Sequence, residues 1–327
     1  LRMKTAVVVD AACDLPSTYI RQHQLQVLPF ALRLGGRVVN DTRDVNLTLA
    51  FHHRLATTQG LGVDAEPCSA HVITSLFLEQ LVVEYDRALL ITLSQTHSRL
   101  FQHATEASFA ILRGYREKRR QAGLNTPFHL MVLDSKTLFA GQAVLADAAN
   151  RLLQNGDLPF NELRRLTEAF RQYIHCYFLS DDLSYSRIQT SKKSEGNEKN
   201  EHNEKTENGV GFLNYHLSSL FNIKPVHRFR DGKIEVAFRA RGFDNALSDL
   251  LDQACRSIDQ GLKNPVVVIS YAGNLQEFKQ KPSVMAFEQY AQKCGVQVLM
   301  SIMSMAGGVN VGPGAVSLAY AIEEKQK

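Results

Sequence analysis

The chain has 327 residues, 44% of them apolar, with 37 Lys and Arg against 33 Asp and Glu for a formal net charge of +4. Two ordinary domains fit in that length, and so small and scattered a positive charge excludes an evident nucleic-acid surface. Five cysteines, Cys13, Cys68, Cys176, Cys255 and Cys294, are widely spaced and form no C-x-x-C pair, which argues against a disulfide framework or a thiolate zinc site and for a reducing cytoplasm. Thr5 to Asp10 is a β-branched strand, and Asp14 is placed to cap the helix that follows around Pro16. Leu25 to Leu34 reads as one strand interrupted by Pro29, turning at Gly35-Gly36 into Arg37-Val38-Val39. A helix is expected from Leu47 to Leu55, a loop from Gly60 to Ala70, and a helix from Ile73 to Val83. Ala88 to Leu93 is a buried central strand, and Ser94-Gln95-Thr96-His97-Ser98 leads from it into a long helix beginning near Leu100. Phe128 to Asp134 is a further strand, followed by a helix from Gly141 to Leu153.

After Gly156 the pattern changes. A helix from Pro159 to Tyr173 precedes the strand Ile174 to Leu179. Gln189 to Gly209 is rich in Lys, Glu and Asn and holds too little apolar surface to offset its ordering entropy, so it is expected to be a mobile polar insertion. Phe212 to Leu220 is a short helix, and Ile223 to Phe229 and Ile234 to Ala240 form a hairpin around Asp231-Gly232. Helices are expected from Phe243 to Leu262 and from Leu275 to Gln292, with strands at Pro265 to Tyr271 and Gly295 to Met303. A glycine-rich loop from Gly307 to Gly314 then leads to a final helix from Ala315 to Glu323. The order predicts an α/β protein. Residues 1–158 form an N-terminal α/β/α domain with a parallel sheet, and residues 159–327 a C-terminal α/β domain with a mixed sheet. No apolar run has the form of a signal peptide or the length of a membrane span, so a cytoplasmic protein without a span is expected.

In open parallel sheets ligands lie beyond the carboxyl ends of the strands, where Asp10, Cys68, Ser69, Ser94, Ser98, Asp134 and Ser135 can share one rim. Ser98 at the helix entry is placed either to contact an anionic head group or to cap the helix. Asp10 and Asp134 carry the same pair of readings, ligand contact or turn cap. A serine-dependent acyl hydrolase using Ser98 with His97 or His71 is a second reading, although no G-x-S-x-G elbow is present, and a regulatory protein that uses the fold without a ligand is a third. Neither a P-loop nor a G-x-G-x-x-G fingerprint follows the first strand, no His cluster has metal spacing, and no cofactor or metal is expected.

Taken together, the residues resemble the DegV family of fatty-acid-binding proteins over nearly the whole chain. Val8-Val9-Asp10-Ala11-Ala12-Cys13-Asp14-Leu15-Pro16 is similar to that family's opening V-T-D-S-T-A-D-L-P, and Pro67-Cys68-Ser69 stands at its T-S-Q-P-S loop. Val132 to Lys136 is similar to V-I-D-S-K, Asn222-Ile223-Lys224-Pro225 to N-I-K-P, and Gly312-Pro313-Gly314-Ala315 to G-P-G-A. The resemblance implies two α/β domains holding a long-chain fatty acid, with its carboxylate at the cleft and its tail buried in the second domain. It implies a carrier rather than an enzyme, with a separate fatty acid kinase as a partner. Carried over by position, head-group contacts fall to Cys68, Ser69 and Ser98, and the loop through Asn310 and Gly312 closes the site.

The chain departs from that family where T-H-T precedes G-P-G, since Val309-Asn310-Val311 stands there and only Asn310 can donate. A lost hydrogen bond to a charged group costs about 1.5–3 kcal/mol, whereas a sixteen-carbon tail gains roughly 0.8 kcal/mol per buried methylene, on the order of 10 kcal/mol gross. Acyl binding is therefore expected to survive with altered head-group recognition.

Overall fold

The apolar runs fold into three sheets, and a computed structural model describes residues 3–58, 63–187 and 222–324. In chain order the first half contains β1 (Thr5–Asp10), α1 (Ser17–Gln22), β2 (Gln26–Leu28), β3 (Phe30–Leu34), β4 (Arg37–Asp41), α2 (Val45–Thr57), β5 (Val63–Pro67) and α3 (Ala70–Leu76). It continues with β6 (Arg87–Thr92), α4 (Leu100–Ala110), α5 (Tyr115–Gln121), β7 (His129–Asp134) and α6 (Phe139–Gln154). The second half contains α7 (Phe160–Phe170), β8 (Ile174–Leu179), β9 (Ile223–Arg230), β10 (Lys233–Arg241), α8 (Phe243–Gln260) and β11 (Val266–Tyr271). α9 (Leu275–Lys279), α10 (Pro282–Lys293), β12 (Gln297–Ile302), α11 (Met305–Val311) and β13 (Val316–Ala321) complete it.

β2, β1, β6 and β7 lie side by side in a parallel sheet, with Val8 level with Leu90 and Leu90 with Val132. β6 is buried along its full length, as expected of a parallel strand covered on both faces. A second, mixed sheet has the order β10-β9-β8-β13-β11-β12, and β4-β3-β5 form a small antiparallel sheet. The molecule is thus a mixed α/β fold.

Helix α6 joins the two large sheets. Every residue from Phe139 to Asn150 is buried, because one side of the helix meets β1 and β6 and the other meets β8, β11 and β13. Small residues make that approach possible. A Cβ on Gly141 would lie 2.8 Å from the Cβ of Cys176 on β8, closer than packed carbons approach. One apolar cluster consequently runs from Val8 through Ala143 to Ala319, while a second lies on the far face of the mixed sheet, where Tyr177, Leu179 and Leu318 meet Leu250 and Phe287.

Several elements differ from the expectations above. Pro29 divides the run from Leu25 to Leu34 into β2 and β3, which belong to different sheets. The expected loop from Gly60 to Ala70 contains β5, held by pairing with β3 from Phe30↔Pro67 to Leu34↔Val63. Pro282 biases the preceding Lys281 out of the helical region and splits the expected helix from Leu275 into α9 and α10. The expected final helix is β13, whose alternating residues face the two apolar clusters between β8 and β11. Asp14 does not cap α1, whose N-cap position is Pro16 with no side-chain cap, because its carboxylate is drawn into a buried network across the chain. The expected insertion at 189–209 and the helix from Phe212 to Leu220 lie outside the described residues.

Candidate functional site

The carboxyl ends of β1, β6 and β7 are tied together by the acids that end two of them. Asp10, fully buried, accepts from the Leu93 N–H at 2.8 Å, the Ala12 N–H at 2.9 Å and Gln142 Nε2 at 2.9 Å. Asp134 accepts from the Gln95 and Lys136 N–H groups at 3.2 and 2.9 Å, so both carboxylates serve the turns that shape the rim. Burial pushes the Asp10 carboxyl up to about 6, against the hydrogen bonds from Gln142, Leu93 and Ala12.

That shift has a definite sign. A carboxyl whose folded-state pKa lies above its unfolded value of 3.8 binds its proton more tightly in the fold, so the stability it lends is lost as pH rises from near 4 through about 6. The expected loss from this group is roughly 3 kcal/mol. Urea unfolding between about pH 4 and 7 should show this falling contribution in the wild type and not in Asp10→Asn. Parallel pH profiles for the two proteins would contradict it.

Facing the rim is α11, in the segment expected to be a glycine-rich loop. Its helical form has a tertiary cause: Asp14 Oδ1 accepts the Ser304 N–H at 3.0 Å, Asp41 Oδ2 the Met305 N–H at 2.8 Å, and Ser304 Oγ the Gly307 N–H at 3.0 Å. Arg43 lies between the two acids, with Nη1 3.4 Å from Asp14 Oδ1 and its own N–H donating to Asp41 Oδ1 at 2.9 Å. Ser270 also donates to Asp14. Burial raises both carboxyls above their ordinary range, and Arg43 opposes this in each. From below, the buried ring of His52 supports α11 through Nε2, 2.7 Å from the Met303 carbonyl. Since a carbonyl only accepts, Nε2 carries the proton. Burial brings His52 down to about 4 and keeps it neutral.

Between rim and helix lies a cleft of about 470 Å³, within the usual ligand-pocket range. Ala12, Leu93, Leu138 and Phe139 give it an apolar wall, Ala306 and Gly307 come from α11, and Thr96, His97, Arg187 and Asn310 supply its polar groups. Gly232, at the tip of the β9–β10 hairpin, lies at its edge. Ser94, Thr96 and His97 form a relay, with 2.8 Å from Ser94 Oγ to Thr96 Oγ1 and 2.8 Å from there to His97 Nδ1. Burial lowers the pKa of His97. A larger groove of about 570 Å³ is lined by Lys136, Arg171, Arg230, Lys233 and three acids, with Ala169 the one apolar residue among its described lining.

Of the residues singled out from the sequence, Asn310 lines the cleft, and its Nδ2 donates to the Ala306 carbonyl at 2.7 Å. Cys68 is buried with its thiol on the Pro29 carbonyl at 2.7 Å, and its own carbonyl lies 2.8 Å from His103 Nδ1. Ser69 caps α3 through the Val72 N–H, and Ser98 accepts the Leu100 N–H at 3.1 Å. Gly312 ends α11 with φ 93°, and a Cβ there would lie 2.7 Å from the Cβ of Tyr185. Cys68, Ser69, Ser98 and Gly312 are not among the described residues that line this cleft. Thr96 and His97 were legible as part of a polar turn, whereas Phe139 precedes the expected helix start at Gly141 and begins the helix in the structure. Arg187, between a short turn and a polar stretch, carried no sequence signal of a site.

Among the described residues no cluster of three or more His, Cys, Asp or Glu is placed to hold a metal ion, and no helix is long and apolar enough to cross a membrane. A family model described as "Uncharacterised protein, DegV family COG1307" matches residues 4–323. A DegV domain-containing protein of Xanthomonas campestris is 36% identical over 321 residues, covering 98% of each chain. In fold, the chain is similar to DegV of Bacillus subtilis, solved as a fatty acid binding protein, with TM-score 0.72, 18% identity, and coverage of 98% of this chain and 100% of that one. It is similar as well to the Fatty Acid Kinase B3 protein of Streptococcus pneumoniae, solved loaded with linoleic acid, with TM-score 0.70, 16% identity and the same coverage.

Proposed function

The chain belongs to the DegV family, and from that premise we propose that its cleft binds a long-chain fatty acid and that the protein acts as an acyl carrier. One observation carries this reading: a single cleft joins an apolar wall of Leu93, Leu138 and Phe139 to polar groups at Arg187, Asn310 and Thr96. In this proposal the carboxylate lies at those polar groups. The tail lies along Leu93, Leu138 and Phe139. Burying the tail supplies most of the affinity, on the order of 10 kcal/mol gross for sixteen carbons. Structural neighbours solved as a fatty acid binding protein and loaded with linoleic acid support the ligand class.

A division at 158/159, a cytoplasmic location and a fatty acid kinase as recipient of the bound acid belong to the same proposal. The serine-hydrolase alternative is less well supported, since Ser98 Oγ accepts a backbone N–H and His97 Nδ1 is engaged by Thr96. Denaturing the purified protein and analysing the extract by mass spectrometry should yield a fatty acid in near-equal amount, and delipidated protein should take up a fluorescent fatty acid. An empty extract together with no uptake would refute carriage, and ester turnover abolished by Ser98→Ala would favour the hydrolase.

A further inference from the structure

We propose that the charged groove at the end of α7 is a second ligand site, which takes a small molecule bearing a phosphate group. The inference stands apart from the acyl reading, since the groove shares no lining residue with the cleft. Its volume of about 570 Å³ lies in the range of ligand sites. Three separate parts of the chain line it: the end of α7, the turn after β7, and the β9–β10 hairpin. They bring four cations together, Lys136, Arg171, Arg230 and Lys233.

The acids on the lining do not cancel that charge, because each already has a cation. Glu168 pairs with Arg164 at 2.9 Å, Asp231 with Lys136 at 3.4 Å, and Glu235 with Arg228. Arg230 Nη1 is matched by Glu324 at 2.5 Å. Arg171 and Lys233 are left with no ion pair among the described residues, so the groove holds two positive charges in excess. Arg171 is fixed by carbonyls alone, Nε donating to that of Glu168 at 3.0 Å and Nη1 to that of Asp134 at 2.8 Å. A guanidinium has five N–H groups, and those on Nη2 have no partner among the described residues.

Lys136 supplies an independent sign. Its φ of 53° is left-handed, a region that residues other than glycine enter infrequently and that gathers at ligand sites. Asp134 Oδ1 holds it there by accepting its N–H at 2.9 Å, and its carbonyl accepts the Gly232 N–H at 3.3 Å, which joins the turn to the hairpin. Its pair with Asp231 is solvent-screened, with side chains 43% and 74% exposed, so a more highly charged anion can displace the aspartate. A phosphate monoester carries nearly two charges and three acceptor oxygens, enough to engage all three parts of the lining, whereas a carboxylate brings one charge and two oxygens.

The test titrates isotope-labelled full-length protein with inorganic pyrophosphate and, in parallel, with acetate at the same low ionic strength, following amide signals by NMR. Pyrophosphate should shift residues 136, 171 and 230–235 along a saturating curve with a dissociation constant of about 1 mM or below, and acetate should not. Arg171→Gln should weaken binding roughly tenfold or more, and Lys233→Gln about three- to tenfold. Lys233 is exposed, so its variant should keep the wild-type urea midpoint and decides the matter if Arg171→Gln fails to fold. Lys293→Gln, at the end of α10 and outside the groove, should stay within about twofold of wild type. Absence of saturable shifts at the groove, an equal response to acetate, or equal losses in Lys233→Gln and Lys293→Gln would overturn the assignment, the last by showing that net charge and not a site attracts the anion. None of these results would bear on acyl binding at the cleft.

Discussion

Arg43→Met is expected to destabilise the protein by about 3–5 kcal/mol, because it leaves two buried carboxylates without the cation between them. Asp14 is fully buried, Asp41 likewise, and Arg43 is 7% exposed, so water cannot replace the lost partner without local unfolding. The variant also releases the Leu15 carbonyl, which accepts from Nη2 at 2.9 Å. Its pH dependence identifies the cause. Burial already raises both carboxyls, and removing Arg43 raises them further, so the deficit should grow as pH rises above the unfolded carboxyl value and shrink in acid, where both protonate. Chemical denaturation near pH 4.5 and pH 7.5 measures this. A deficit independent of pH would mean that lost packing, not charge, dominates. Since Asp14 and Asp41 hold the first N–H groups of α11, the variant should lose acyl binding along with stability.

Gly308→Ala is expected to be the most damaging small substitution near the cleft. In an ordinary helix the change is favourable by up to about 1 kcal/mol, but here packing decides the sign. A Cβ would lie 2.4 Å from His52 Cε1 and 2.5 Å from Nδ1. The ring cannot retreat, since Nε2 is held by the Met303 carbonyl at 2.7 Å and the imidazole is enclosed. Overpacking of this kind costs about 1–3 kcal/mol and would displace α11, carrying Ala306 and Asn310 away from the cleft. Adding His52→Ala should restore room, so the double variant should be more stable than the sum of its single effects predicts. Additive effects in thermal or urea unfolding would show that the contact is relieved by backbone movement instead.

Much of the parallel sheet was readable from local pattern. β1, β6 and β7 are short apolar runs ending in polar turns, and Gly35-Gly36 and Asp231-Gly232 adopt the positive φ values that tight hairpins need. Elements fixed by distant partners were not readable. The helix at Met305 depends on carboxylates 264 and 290 residues away, and without them Gly307-Gly308 reads as loop. β13 looked helical because six small and apolar residues fit either period, and only its neighbours β8 and β11 select the strand. The candidate site divides in the same way. Asn310 stood in a recognisable segment, whereas Arg187 is held at the cleft by distant partners, its backbone N–H on the Asn310 carbonyl 123 positions on and its Nη1 on the Val63 carbonyl.

The most direct test of the account is photo-crosslinking with a palmitate analogue that carries a diazirine near its carboxylate, followed by peptide mapping. The account predicts labels within 93–97, 138–139, 187 and 306–310, suppressed by excess palmitate. Competable labelling confined to the charged groove around Lys136, Arg171 and Lys233, with those segments unmarked, would contradict it.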